Sequence, residues 1–345
     1  MSCIEEAIGI LSKKEDLTAF QMEGVMKEIM SGTVETAEIV AFLLRLSEQG
    51  ETPEEVAAAA RVMREHAVKI KTRHRVILDT CGTGGDRKHT FNISTAVAFV
   101  AAGAGVAVAK HGNRAVSSKV GSADVMEALG VNINMPKEKA EGCLDETGIT
   151  FLFAPNFHPA MRYVMPARKQ IAAKTIFNFL GPLSNPAGAR HQLIGVYDSA
   201  WAYNLAAALK GLDVIHALVI HGRDGMDEIT TTDKTLVYEV YRAEELRQEE
   251  IDFSEFGFQK SHPDVLKGGD TAQDNAAIIT GILEGKEGFF RNVVVLNAAA
   301  ALYAATDELS PLKEGIKEKI NLAEDSIDSG KALEKLELLK EYSRK

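Results

Sequence analysis

The stretch Asp79-Thr80-Cys81-Gly82-Thr83-Gly84-Gly85-Asp86 follows an apolar triplet, Val76-Ile77-Leu78, and precedes a helical pattern from about Ser94 to Ala102. Glycines at 82, 84 and 85 let backbone N–H groups converge on an anion with no Cβ in the way. The N-terminus of the next helix adds partial positive charge. A bare strand-to-helix turn is the plainer alternative, but three glycines flanked by Asp and Thr exceed what a turn requires. Two commoner phosphate loops fail on spacing. A Walker loop ends in Gly-Lys-Ser/Thr, where this one reads Gly85-Asp86-Arg87, and a dinucleotide fingerprint needs Gly at 87. Neither ATPase nor nicotinamide chemistry is indicated.

Four further stretches carry suitable side chains. Asn92-Ile93-Ser94-Thr95 opens the helix after the glycine loop, where Asn, Ser and Thr cap the helix or bond a phosphate. Lys110 to Ser118, KHGNRAVSS, follows the strand Val106 to Ala109 and so falls at the same sheet edge. It gathers cations in an acidic chain, which suits an anionic ligand, although a solvated basic loop has the same composition. Asp227-Glu228 lies in HGRDGMDEIT after the strand ending near Ile220. Adjacent carboxylates are hard oxygen donors of the kind Mg²⁺ uses beside a phosphate, and each can serve a different ion. Arg168 has the planar fork that grips a carboxylate, but a lone Arg is more often a surface residue. His158 fits a cap or packing role, and Trp201 fits the core better than a stacking platform.

The elements that must position these residues change character near residue 72. Up to there the pattern is helical only. Ile4, Ala7, Ile8 and Leu11 recur at i, i+3, i+4, i+7, as do Ile39, Phe42, Leu43 and Leu46, and Thr52-Pro53-Glu54-Glu55 is a capping box. From Arg75 short buried strands alternate with helices: 76–78, 106–109, 151–153, 193–197 and 217–220, with helices over 94–102, 122–129 and from His158 to about Gln170. That alternation implies an α/β class, with a mostly parallel sheet carrying helices on both faces. Thr175 to Gly188, TIFNFLGPLSNPAG, interrupts it with Gly and Pro and is expected to cross between domains. The C-terminal stretch reads as helical. The expected division is a small helical domain, 1–72, with a returning segment near 170–190, and a larger α/β domain, 73–169 and 191–345.

Length and composition fit this plan. The 345 residues suggest two units, and 46% hydrophobic with 26% charged residues is ordinary globular composition. Asp and Glu outnumber Lys and Arg by 49 to 39, so a net charge of -10 argues against a general nucleic-acid binder. Cys3, Cys81 and Cys143 are far apart with no CxxC pair, which argues against a cysteine zinc site and excludes a disulfide scaffold. The longest uncharged apolar run, Thr95 to Ala109, is too short to span a membrane. A soluble, cytoplasmic protein with no membrane partner is expected.

Taken in order, DTCGTGGD, FNIST, KHGNRAVSSKVGSADV, HPAMRYVMPAR, TIFNFLGPLSNPA and GMDEIT resemble the anthranilate phosphoribosyltransferases over about residues 75 to 235, and the helical N-terminus fits the same family. The resemblance implies a nucleoside phosphorylase/phosphoribosyltransferase-like fold and a homodimer through the helical domain. It implies phosphoribosyl pyrophosphate held by Gly82, Gly85, Asp86, Thr90, Asn92, Ile93, Ser94 and Thr95. The loop Lys110, His111, Gly112, Asn113, Arg114, Ala115, Val116, Ser117 and Ser118 would join them, with Ser122 nearby. Ser94, Asp227 and Glu228 match Mg²⁺ ligands, for two ions. Gly82, Asn113 and Arg168 match positions that meet anthranilate, and His111 and Tyr163 lie in matching stretches. After Arg168 the family often reads ELGIRT, whereas this chain has Lys169-Gln170-Ile171-Ala172-Ala173-Lys174-Thr175.

The implied reaction is transfer of the phosphoribosyl group to the amine of anthranilate with release of pyrophosphate, a step of tryptophan biosynthesis. An aromatic amine is neutral at pH 7, so no strong base is needed, and no base motif is evident. Positioning and stabilisation of the leaving group would lower the barrier. Two alternatives share the architecture: a pyrimidine nucleoside phosphorylase, which would act without a metal pair at 227 and 228, and a non-catalytic nucleic-acid-binding relative, which would need a wider basic surface.

Overall fold

The computed structural model describes residues 2–86, 88–115, 119–171 and 173–345. Helices α1 (Cys3–Leu11), α2 (Ala19–Ser31), α3 (Thr36–Gln49) and α4 (Pro53–His66) come first. The capping box that opens α4 is formed: the Thr52 hydroxyl accepts from the Glu55 N–H at 3.2 Å, and the Glu55 carboxylate accepts from the Thr52 N–H at 2.8 Å. The other oxygen of Glu55 accepts from the N–H of Leu17 at 2.8 Å, so one buried carboxylate both starts α4 and ties it to the approach to α2.

Strands and helices then alternate through β1 (Ile77–Gly82), α5 (Ile93–Gly103), β2 (Ala107–Gly112), α6 (Ser122–Ala128), α7 (Lys137–Thr147) and β3 (Ile149–Phe153). Next come α8 (Ala154–Phe157), α9 (Met165–Gln170), α10 (Leu180–Leu183), β4 (His191–Gly195), α11 (Ser199–Leu209) and β5 (His216–Gly222). The chain ends with β6 (Thr235–Tyr241), β7 (Glu245–Ile251), α12 (Ala272–Leu283), α13 (Phe289–Ala304), α14 (Leu312–Asp328) and α15 (Lys331–Arg344).

The sheet order is β3-β2-β1-β4-β5-β6-β7. The first five strands pair in parallel, and β5, β6 and β7 are antiparallel. The sequence reading missed β6 and β7. The latter, ELRQEEI, is a charged edge strand, a composition that hides a strand and also blocks edge-to-edge association. The expected helix from His158 to Gln170 is instead two pieces, a 3-10 turn over Pro159–Tyr163 and α9, with the short α8 just before them. Pro159 and Pro166 lack the N–H that a continuous helix needs, so each begins a new segment.

Two apolar cores lie on opposite faces of the sheet. Leu193, Leu218, Ile220 and Val237 face α5, α13 and α14. Their alternating neighbours Ile194, Ala217, Val219, Leu236 and Val240 join a core with α1–α4 and α11, to which Val164, Ala167, Ile176, Phe179, Leu180 and Leu183 also belong. Trp201 stacks on Phe179 at 3.6 Å between ring centres, a packing role. The chain runs outward from β1 through β2 to β3 on one side and from β4 through β5 on the other, so the strand order reverses between β1 and β4 and opens a crevice at their carboxyl ends, the usual ligand position in such a sheet.

Candidate active site at the carboxyl ends of the strands

A cavity of about 280 Å³ fills that crevice. Its wall brings together the glycine loop after β1, the start of α5, the end of β2 and the Asp227-Glu228 turn, stretches far apart in the chain. Of the residues singled out from sequence, Gly82, Gly85, Asp86, Thr90, Asn92, Ile93, Ser94, Lys110, His111, Gly112, Asn113, Arg114, Ala115, Ser122, Asp227 and Glu228 line it. Thr95 does not; it is fully buried behind the wall. Val116, Ser117 and Ser118 lie outside the described residues. Arg168 and Tyr163 are not on the lining either.

The glycine loop turns because Gly84 and Gly85 take φ of 62° and 85°, values that side chains resist. Its N–H groups find an internal acceptor: the Gly84 N–H donates to Asp227 Oδ2 at 3.1 Å. The Ser94 N–H at the start of α5 donates to Glu228 Oε1, also at 3.1 Å. The two carboxylates thus occupy positions where backbone donors and the α5 dipole favour negative charge. Their turn comes so close to β4 that a Cβ on Gly195 would stand 1.6 Å from the Asp227 carbonyl oxygen, and one on Gly82 would stand 2.9 Å from Asp227 Oδ2. Gly195 is therefore a site residue that sequence reading passed over, since one glycine closing a strand has many explanations. Asp79 is a second. Fully buried on β1, it accepts the His111 N–H at 3.1 Å and fixes the end of β2.

Charge in this corner is unbalanced. Asp227 and Glu228 are half-buried and open only toward the cavity. Burial, reinforced by the neighbouring Asp86, raises the Asp227 carboxyl to about 7. Burial and then Asp227 push Glu228 well above its ordinary value, and burial raises Asp86. The nearest compensating cation, Lys110, is itself buried. Its ammonium donates to the Thr80 carbonyl and, at 3.2 Å, to Ser94 Oγ, and burial depresses its pKa. A divalent cation suits this arrangement, with Asp227, Glu228, Asp86 and Ser94 Oγ as the available donors. No group of three His, Cys, Asp or Glu forms a closed cage among the described residues. Mg²⁺ commonly takes one or two carboxylates and completes its shell with water and substrate phosphate.

The basic loop is less free than its composition suggests. Arg114 pairs with Asp124 at 2.8 Å and Glu127 at 2.6 Å. Asp124 also accepts the N–H groups of Ala115 at 3.1 Å and Gly121 at 2.9 Å, so one carboxylate pins both stems of the loop. The backbone N–H groups and Lys110 remain the better anion partners.

Next to this cavity, the rings of His111 and His158 approach to 5.0 Å. His111 Nδ1 lies 3.2 Å from the Gly181 carbonyl, and His158 bonds the Ser184 backbone carbonyl. Burial lowers the two to about 3 and about 4, so both imidazoles are neutral near pH 7. Each Nε2 is buried without a partner among the described residues. Arg168, on α9, is half-buried with its pKa lowered by desolvation, and its guanidinium has no protein partner among the described residues. Such a cation suits an incoming carboxylate.

Residues 5–67 match the glycosyl transferase family, helical bundle domain, and residues 74–333 match the glycosyl transferase family, a/b domain. The chain is 50% identical over 342 residues to the anthranilate phosphoribosyltransferase of Chloroflexus aggregans, covering 99% of this chain and 98% of the relative. It is 51% identical over 337 residues to that of Methanocorpusculum labreanum, covering 97% of each. Among solved structures, the Thermus thermophilus anthranilate phosphoribosyltransferase superposes with a TM-score of 0.91 at 40% identity over the whole of both chains. The Saccharomyces cerevisiae enzyme in complex with PRPP and Mg gives 0.89 at 26% identity, covering 99% of this chain and 98% of that one.

Proposed function

The chain belongs to the anthranilate phosphoribosyltransferase family, and from that premise we propose that it transfers the phosphoribosyl group of phosphoribosyl pyrophosphate to the amine of anthranilate, yielding N-(5-phosphoribosyl)anthranilate and pyrophosphate in tryptophan biosynthesis. The observation that carries this reading is the convergence of the glycine loop, the α5 N-terminus, Lys110 and the Asp227-Glu228 turn on one cavity at the switch point of the sheet. Gly82, Gly85, Asp86, Thr90 and Asn92 to Thr95 hold phosphoribosyl pyrophosphate, together with residues 110–118 and Ser122. Asp227, Glu228 and Ser94 would hold Mg²⁺, and the two adjacent carboxylates offer donors for two ions. When bound, Mg²⁺ neutralises the charge that develops on departing pyrophosphate.

The chain's own groups do the rest. Arg168 takes the carboxylate of anthranilate, with Asn113 and Gly82 against the ring and amine. The C–N bond forms as the anomeric C–O bond to pyrophosphate breaks, and the amine proton need leave only afterwards. Neutral His111 and His158 agree with a site that polarises little before attack. Catalysis by placement and by stabilising the leaving group follows.

The division of the chain into 1–72 with a returning segment near 170–190, and 73–169 with 191–345, is part of the proposal. It is supported by the shared core of α1–α4 and residues 164–183. So is a homodimer through the helical unit, on which Phe20 and Leu44 are exposed apolar residues. A cytoplasmic location is also proposed; no helix among the described residues is long and apolar enough to cross a membrane. The test is loss of anthranilate fluorescence with phosphoribosyl pyrophosphate and Mg²⁺ both present and with each left out. Turnover that needs both and releases pyrophosphate supports the transferase. Turnover of a nucleoside with phosphate and no metal would replace it with the phosphorylase reading.

A further inference from the structure

Asn297 stands in the middle of α13, whose neighbouring residues Val293 to Ala301 are otherwise apolar, and it is fully buried. An amide there is costly unless its groups are paired. Its Oδ1 accepts the N–H of Ile229 at 2.9 Å, and its Nδ2 donates to the Ile229 carbonyl at 2.8 Å and to the Val293 carbonyl at 2.8 Å. The side chain therefore pairs with the peptide groups of Ile229 as a neighbouring strand would, immediately beyond Glu228. The turn is held from its other side by Asp224. One oxygen of Asp224 accepts the Met226 N–H at 3.0 Å, and the other accepts the hydroxyls of Thr230, at 2.8 Å, and Thr232. The Gly222 N–H donates to the Met226 carbonyl at 2.8 Å and closes the base.

We infer that Asn297 and Asp224 are positioning residues that hold the turn 224–232 so that Asp227 and Glu228 meet the metal at the correct separation. Neither bond set touches the cavity, and neither residue is on its lining. Both carboxylates lie between the two anchors, at 224 and at 229. These bonds, with the packing on Gly195, brace the backbone of the turn from behind, while the Gly84 and Ser94 N–H groups meet the two carboxylates from the cavity side. A side chain that served packing alone would be served better by Leu in this helix, since no polar group would then need a partner. The inference rests on the metal reading given above.

The experiment measures Mn²⁺, a hard octahedral stand-in for Mg²⁺, by electron paramagnetic resonance of the full-length protein with saturating phosphoribosyl pyrophosphate. It runs beside the Mg²⁺ dependence of turnover and the melting temperature without metal. Asn297→Leu and Asp224→Ala should each weaken Mn²⁺ binding about tenfold or more, the loss expected when groups supporting metal ligands are removed. Half-maximal turnover should need correspondingly more Mg²⁺, and the KM for anthranilate should hold. Unchanged Mn²⁺ affinity in both variants, with only the melting temperature lowered, overturns the inference. If Asn297→Leu does not fold, Asp224→Ala decides alone. Glu228→Gln separates the two readings: if it leaves Mn²⁺ binding intact, the metal assignment falls and this inference with it, whereas if it abolishes binding that the other two variants retain, only the positioning role falls.

Discussion

Replacing Gly195 by Ala adds one methyl group, yet it should cost most of the activity. The added Cβ would stand 1.6 Å from the Asp227 carbonyl oxygen and 2.7 Å from its carbon, whereas Cβ contacts under 3.0 Å are essentially never seen. Both atoms are backbone, so no side chain can swing aside. The turn must retreat until the first of these distances reaches that limit. Such a retreat breaks the 3.1 Å bond between Asp227 and the Gly84 N–H. It also moves the carboxylate away from the place where it would hold a metal. Misplacement by about 1 Å costs on the order of 100-fold in rate. The overpacking itself should cost about 1–3 kcal/mol of stability. The assay is anthranilate fluorescence with phosphoribosyl pyrophosphate and Mg²⁺ varied independently, beside thermal melting. The expected result is a folded protein with kcat/KM lowered about 100-fold and a raised Mg²⁺ requirement. A variant with the parent's kcat/KM and Mg²⁺ response would refute the claim that the backbone of Asp227 is seated against β4.

Arg168→Ala should raise the KM for anthranilate about ten- to 100-fold, the worth of a charge-assisted bond, and Arg168→Lys should recover only part of it; steady-state kinetics should show the response to phosphoribosyl pyrophosphate spared. Asp227→Asn and Glu228→Gln should remove metal-induced stabilisation while leaving the metal-free melting temperature unchanged or higher, because burial disfavours the charged form of both carboxylates. Gly85→Val puts a branched side chain at φ 85° and should abolish binding of phosphoribosyl pyrophosphate by calorimetry. Glu51, buried between α3 and α4, has its carboxyl raised from 4.5 to about 7 by burial. Folding therefore favours its protonated form, so its contribution is full below about 4.5 and is lost as pH rises through 7. Glu51→Gln should flatten that decline and be more stable than the parent at pH 8 by on the order of 3 kcal/mol, read from denaturant melts at pH 5 and 8.

The parts of the site that sequence made legible are those where chemistry and local grammar coincide. The glycine loop, KHGNR and the Asp227-Glu228 pair each follow an apolar strand, so strand ends and charge pointed to one sheet edge. What escaped depends on proximity between distant segments. Gly195 matters only because residue 227 returns to it, and Asp124 only because the loop it pins begins and ends beside it. The ion pairs of Arg114 with Asp124 and Glu127, on the helix that follows the loop, could not be read from the loop's composition. Strands β6 and β7 escaped for another reason: TLVYEVY and ELRQEEI lack the uniform apolar run by which the parallel strands were found.

The shared core of the helical unit sets an order of events on the ribosome. Helices α1–α4 are synthesised first, but Ala57 lies against Gly211, Arg61 donates to the Gly211 carbonyl at 3.0 Å, and the same core runs on to Val240. At ~5–20 residues per second, on the order of 10 to 30 s of translation separates completion of α4 from arrival of the segments that cover it. During that interval the apolar residues that α1–α4 bury against later segments have none of those segments to cover them. The α/β half, whose own sheet assembles outward from β1 as the chain emerges, then supplies the lid. A circular permutant that moved the segment 1–72 to the end of the chain would reverse this order, delivering the helices to a surface already built.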